Sequence, residues 1–153
     1  MKEEELKQVN IYTYTTNRSP RKISSAYAYV LEMETVKEPV TLSKIGIHEP
    51  MTANQAELTT LIEALERLNK SCNLTIFTDS PYVSGSLTQG WLTKWQQDNW
   101  LNAKGDAVAN ASEWQKAAVL LNKHTYRVEV GNNHQYKAWM VRETKKAEDK
   151  INV

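Results

Sequence analysis

The order of elements written into this chain predicts an α/β fold built on a mixed sheet. Three observations carry the expectation. Strand-like segments recur between residues 9 and 48, a helix with leucines at helical spacing follows, and the short apolar run LTIFT comes directly after it. Hairpin-linked strands pair antiparallel, whereas a strand regained through a helix returns by a crossover, so the two kinds of neighbour belong in one sheet.

Val9 to Thr15 (VNIYTYT) is rich in β-branched and aromatic residues, and Asn17-Arg18-Ser19-Pro20 marks the turn after it. Ser25 to Met33 reads as a second strand with Tyr27, Tyr29 and Leu31 on one face. Glu38-Pro39 breaks the chain, and Val40 to His48 reads as a third strand ended by Pro50. Leu58, Leu61, Ile62, Leu65 and Leu68 then recur at helical spacing. Asn54 with Glu57 three residues later has the layout of an N-cap and its acid. Leu74 to Thr78 is a buried strand that runs into Asp79. Pro81 to Trp100 is expected to be helical with breaks near Gly85 and Gly90, and Leu101 to Asn110 to be a loop. Ser112 caps a helix to Asn122, Tyr126 to Val130 alternates as a last strand, and Ala138 to Lys150 forms a charged final helix. Gly131-Asn132-Asn133 is the turn between them.

The 153 residues favour one domain, with residues 1–8 and 148–153 as loose ends. A formal net charge of +1 excludes a globally basic nucleic-acid-binding surface and leaves only a local patch. The single cysteine, Cys72, forbids an internal disulfide and reads as an ordinary packing residue. The opening MKEEELKQVN lacks the apolar stretch of a signal peptide, and no apolar run approaches the roughly 20 residues that span a bilayer. A cytoplasmic protein with no membrane partner is expected.

Four segments carry a family resemblance: Thr52 to Leu58 (TANQAEL), Thr78 to Val83 (TDSPYV), the tryptophans Trp91, Trp95 and Trp100, and Val108 to Trp114 (VANASEW). In this order they resemble the type 1 ribonuclease H family, from about Val9 to about Ala147. The resemblance implies a ribonuclease H-like fold, a five-stranded mixed sheet with helices on both faces. It also implies cleavage of the RNA strand of an RNA–DNA hybrid with two Mg2+ ions held by four carboxylates. Mg2+ demands oxygen ligands in near-octahedral geometry, and a pair of such ions clamps the attacking and leaving oxygens.

Carried over one residue at a time, the resemblance puts the helix glutamate on Glu57 and the fourth-strand aspartate on Asp79. The first-strand aspartate falls on Tyr14, and the last-helix aspartate on Thr144. The family's mobile histidine falls on His134. Thr52, Asn54, Gln55 and Asn110 match positions that contact the hybrid. A tyrosine is neutral at pH 7, so Tyr14 cannot supply the metal-bridging charge. Glu143 is next to Thr144, but a helical neighbour points roughly 100° away. Gln96 to Asn99 (QQDN) carries no positive charge where bacterial members often have a basic protrusion, which weakens phosphate neutralisation.

Local readings compete with the functional ones. Glu57 can serve as a first-turn acid worth roughly 0.3–1 kcal/mol, and Asp79 as the cap of the next segment. His134 can be a solvated loop residue, and the tryptophans can be core. The leading expectation is a ribonuclease H-like protein that lacks metal-dependent hybrid cleavage and acts by weak binding to hybrid, other nucleic acid or a protein partner. No cofactor is then expected. The alternatives are an active enzyme using Mg2+ or Mn2+ in a rewired site of Glu57, Asp79 and Glu143 or Asp106, and a module that binds protein only.

Overall fold

The computed structural model describes residues 6–131 and 133–151. Five strands, β1 (Lys7–Thr15), β2 (Ile23–Met33), β3 (Val40–Met51), β4 (Cys72–Thr78) and β5 (Thr125–Val130), form one sheet in the order β3-β2-β1-β4-β5. The hairpin pairs β1/β2 and β2/β3 are antiparallel; β1/β4 and β4/β5, each joined through helices, are parallel. The mixed sheet is thus the one the element order predicts.

Among the described residues, five helices connect or cover the strands: α1 (Ala53–Glu66), α2 (Pro81–Thr88), α3 (Trp91–Gln97), α4 (Ala111–Leu121) and α5 (Lys137–Ile151). Alternation along the strands sends side chains to two layers. Val9, Ile11, Tyr27, Tyr29, Leu31, Leu74 and Ile76 meet the leucine stripe of α1 and Trp114, Ala118 and Leu121 of α4. Tyr12, Ala28 and Val30 meet Met140 of α5 on the opposite face, with Tyr14, Phe77, Tyr136 and Trp139 around them. None of these helices is long and apolar enough to cross a membrane.

Several boundaries differ from the sequence reading. Lys7 and Gln8 belong to β1, and residues 148–151 to α5, because both stretches find backbone partners. The other expected loose ends except Leu6, and Asn132 of the expected turn, lie outside the described residues. The cap of α1 is Thr52, whose hydroxyl accepts from the Gln55 N–H, so Asn54 is already helical and Glu57 sits in the second turn. Ser80, not Asp79, caps α2. Asn110, in the left-handed region at φ 57°, precedes α4 without a side-chain cap, and Ser112 lies inside the helix. Gly85 passes through α2 unbroken; Gly90, at φ 77°, interrupts the helical stretch, which ends at Gln97 rather than at Trp100 because Asn99 and Trp100 lie at positive φ. The tryptophans divide: Trp114 is fully buried, Trp95 and Trp100 partly, and Trp91 is 46% exposed.

Candidate nucleic-acid and metal site

The site lies where β1 and β4 end and α1 and α2 begin. A small depression of about 200 Å³ is lined by Asn17, Arg18, Asn54, Glu57, Asp79 and Ser80, among others. Its rim is braced. Buried Asn17 donates through Nδ2 to the Met51 carbonyl at 2.8 Å and accepts the Ser19 N–H at 2.8 Å. The Ala53 N–H donates to the Ser19 carbonyl at 2.9 Å. The turn after β1 is therefore stitched to the start of α1, and that turn carries Arg18.

Glu57 is only 6% exposed. Its Oε1 accepts from the Thr15 hydroxyl at 3.3 Å and lies 3.7 Å from Arg18 Nη1. Burial and then the charge of Asp79 push its pKa up to about 7, against the opposing pull of Arg18, Thr15 and Lys137. Asp79, at the end of β4, is half-buried, and its charge reaches both Glu57 and His134.

Tyr14 is half-buried on the α5 side of the sheet. Two cations approach its ring: Lys137 Nζ at 4.4 Å and the Arg18 guanidinium at 5.4 Å from the centroid, both inside the roughly 6 Å range of cation–π attraction. Arg18 thus links the tyrosine to Glu57. Lys137, the first residue of α5, is also close enough to act on Glu57 and His134.

His134 is half-buried, its ring 4.5 Å from that of Tyr12, and its Nδ1 accepts the Tyr136 N–H at 3.2 Å. Burial first, then Lys137, lowers its pKa, with Asp79 opposing. It is held against the sheet, unlike the solvated loop residue of the local reading. Thr144 is fully buried, its hydroxyl turned back to the Met140 carbonyl at 2.6 Å.

Gln55, Asn110 and Thr52 already have protein partners. Gln55 Nε2 donates to Glu113 at 3.1 Å, Asn110 Nδ2 to the Tyr82 hydroxyl at 3.1 Å, and Thr52 serves as the cap. Asn54 is the exposed one of the four. Glu143 pairs with Lys146 at 3.5 Å, and Asp106 sits in the loop between α3 and α4, its N–H bound to Asn102. Among the described residues, no group of three or more His, Cys, Asp and Glu is placed to hold a metal ion.

The family model for RNase H matches residues 6–143. This chain belongs to the RNase H family. A ribonuclease H of Caldicellulosiruptor saccharolyticus is 35% identical over 89 residues, covering 58% of this chain and 61% of that protein. One from Rickettsia canadensis is 42% identical over 81 residues, 53% of this chain and 52% of that protein. The chain therefore spans between about half and two thirds of the length of the curated relatives it matches. Among solved structures, LC9-RNase H1, described as a type 1 RNase H with the type 2 active-site motif, superposes with a TM-score of 0.75 at 19% identity, over 95% of this chain and 74% of that one. A foamy viral protease–reverse transcriptase in complex with RNA/DNA hybrid gives 0.68 at 19% identity, over 94% of this chain and 20% of that one. At such identities the likeness shows the fold.

Set against the RNase H requirement for a pair of divalent ions, the residues of this RNase H chain do not fit. Glu57 and Asp79 are present, but position 14 is a tyrosine and not a carboxylate, Thr144 is turned into its own helix, and Arg18 and Lys137 bring positive charge to the Tyr14 ring. Sequence reasoning missed both cations.

It also missed a second cluster. Glu32, 5% exposed, accepts from Asn10 Nδ2 at 2.9 Å, Tyr12 at 3.3 Å, Gln135 Nε2 at 2.6 Å and the Tyr136 hydroxyl. Burial pushes the carboxyl up, but the donors Tyr136, Asn10, Tyr12 and Gln135 outweigh it and hold its pKa below the usual range. This cluster ties the segment bearing His134 and Lys137 to β1 and β2.

Proposed function

We propose that this RNase H-family protein does not cleave RNA–DNA hybrids by the two-metal route and acts by binding nucleic acid. The observation that carries the reading is the approach of Arg18 and Lys137 to Tyr14 at the place where a bridging carboxylate is required. A divalent ion there would meet an aromatic ring and two positive charges beside the carboxylates of Asp79 and Glu57. The same fold solved on RNA/DNA hybrid in the viral enzyme, and in LC11-RNase H1, supports a nucleic-acid duplex as the partner.

The test is a cleavage assay on hybrid carrying end-labelled RNA, in Mg2+ and separately in Mn2+, beside a Glu57→Ala/Asp79→Ala double variant. The expected result is no product above the double variant with either metal. Robust cleavage abolished by the double variant overturns the reading in favour of the rewired enzyme.

A further inference from the structure

We infer that this site has exchanged metal ions for side-chain cations, so that Arg18 and Lys137 grip the phosphodiester backbone of a nucleic-acid duplex without divalent metal. The inference rests on the binding role proposed above and names the residues that would execute it. They are not those that the resemblance offers: Thr52, Asn54, Gln55 and Asn110 are uncharged, and three of them are occupied by protein partners.

Three observations converge on the cation pair. First, both cations are held near one half-buried ring, 4.4 and 5.4 Å from its centroid, although they come from distant parts of the chain. Second, both are presented by braced backbone. The turn bearing Arg18 is fixed by Asn17 to Met51 and by Ser19 to Ala53; the start of α5 bearing Lys137 is fixed by Gln135 and Tyr136 to Glu32. Ordering two long side chains for a ligand costs entropy, and a braced base with a shared aromatic platform lowers that cost. Third, Arg18 keeps free capacity. Its side chain is 56% exposed, its Nη1 makes a long 3.3 Å bond to the Asn17 carbonyl, and its contact with Glu57 is 3.7 Å. A planar guanidinium with open donors suits a phosphate, which accepts two parallel N–H bonds.

Charge decides between an anion and a cation as the occupant. Arg18 and Lys137 bring two positive charges beside the carboxylates of Asp79 and the buried Glu57, with Glu148 just past the end of β1 on Thr16. A four-carboxylate site is strongly negative until metal arrives. Here side-chain cations stand among the carboxylates, and the exposed part of the site is the Arg18 side. A phosphodiester that approaches from that side meets a cation first and needs no bridging ion.

The experiment uses the full chain and a fluorescein-labelled RNA–DNA hybrid, with anisotropy read across a salt series in excess EDTA and in millimolar Mg2+. Wild-type binding is expected in EDTA and is expected to be no tighter in Mg2+, which competes for the phosphates as added salt does, since phosphate contact here is made by side chains. Arg18→Gln and Lys137→Gln should each weaken binding roughly three- to tenfold and lower the slope of log affinity against log salt by about one, while Arg18→Lys and Lys137→Arg keep the slope. Lys116→Gln, on the exposed side of α4, serves as the control and should leave the slope unchanged. Circular dichroism verifies that each variant is folded.

Binding that appears only with Mg2+ overturns the inference. So does a double Arg18→Gln/Lys137→Gln variant with the wild-type slope, or no measurable binding by the wild type. These outcomes are separate from the cleavage assay: loss of the slope argument with no cleavage leaves the protein a binder through other residues, and cleavage with an unchanged slope removes both readings.

Discussion

Two buried groups titrate in opposite senses over the same pH range, and removing either should expose the other. His48, 5% exposed, is stacked on Tyr27 at 3.8 Å and bonded to Thr60 Oγ1 at 2.9 Å. Burial lowers its pKa from 6.5 to about 4. The unfolded chain takes up a proton that the folded state refuses, so the contribution of His48 is present above pH 6.5 and lost as pH falls toward 4. Glu57 is the reverse. Its pKa rises from 4.5 to about 7, first through burial and then through Asp79. The folded state keeps a proton that the unfolded chain releases, so its contribution is present below pH 4.5 and lost as pH rises to 7. At about 1.36 kcal/mol per pH unit each effect reaches roughly 3 kcal/mol, and local relaxation leaves about 1–3. The two slopes oppose each other between pH 4.5 and 6.5, so the wild type should be nearly flat there. Glu57→Gln should leave the His48 slope, losing about 1–3 kcal/mol as pH falls from 6.5 to 4.5. His48→Phe, which preserves the ring stack, should leave the Glu57 slope and lose stability as pH rises over the same range. Urea unfolding midpoints at closely spaced pH values, in EDTA, measure both. Variants whose pH profiles run parallel to the wild type would refute the argument.

Three further outcomes follow from particular contacts. An alanine Cβ at Gly46 would lie 2.6 Å from the Tyr27 ring, which is held by His48 and by Glu63 at 3.0 Å, so Gly46→Ala should cost about 1–3 kcal/mol in chemical denaturation, and a neutral result would show the ring free to move. The Tyr12 hydroxyl is pushed up to about 12 by burial and by Glu32; Glu32→Gln should lower that value in an ultraviolet titration, whereas an unchanged titration would mean burial acts alone. The melting temperature of the wild type should be the same in EDTA and in millimolar Mg2+, while Tyr14→Asp with Thr144→Asp should melt lower in EDTA and gain a Mg2+-dependent rise, because close carboxylates repel until metal links them. A clear Mg2+ shift in the unmodified protein would show a metal site that its residues do not supply.

The sheet was legible in the sequence because period-two alternation and the leucine stripe of α1 are strong local signals. Tyr27, Tyr29 and Leu31 share a face as expected. The caps were less legible: Asn54 and Ser112 are as suitable as Thr52 by residue type, and only the path of the preceding chain selects among them. Glu57 and Asp79 were placed by their motifs, and they do line one depression. Arg18 and Lys137 escaped because no motif contains them. They meet only when β1 and α5 are laid side by side, and such a long-range pairing leaves no mark in spacing. Glu32 escaped for the same reason, its donors coming from β1 and from residues more than a hundred positions away.

The three unanticipated side chains are connected through the fold. Glu32 lies on β2 directly opposite Asn10 of β1, so its carboxylate faces the same layer as Tyr12 and Tyr14. By taking the Tyr136 hydroxyl and the Gln135 amide, it fixes the approach of α5 to that layer. Lys137 is the next residue, and the direction of its side chain over Tyr14 follows from that attachment. A buried acid of β2 thus anchors the segment from which Lys137 reaches Tyr14. A carboxylate at position 14 would join Glu57 and Asp79 and add to their mutual repulsion. The present tyrosine instead leaves both cationic heads on a ring that accepts them weakly, by roughly 0.5–2 kcal/mol each, and so leaves them available to a stronger acceptor such as a phosphate.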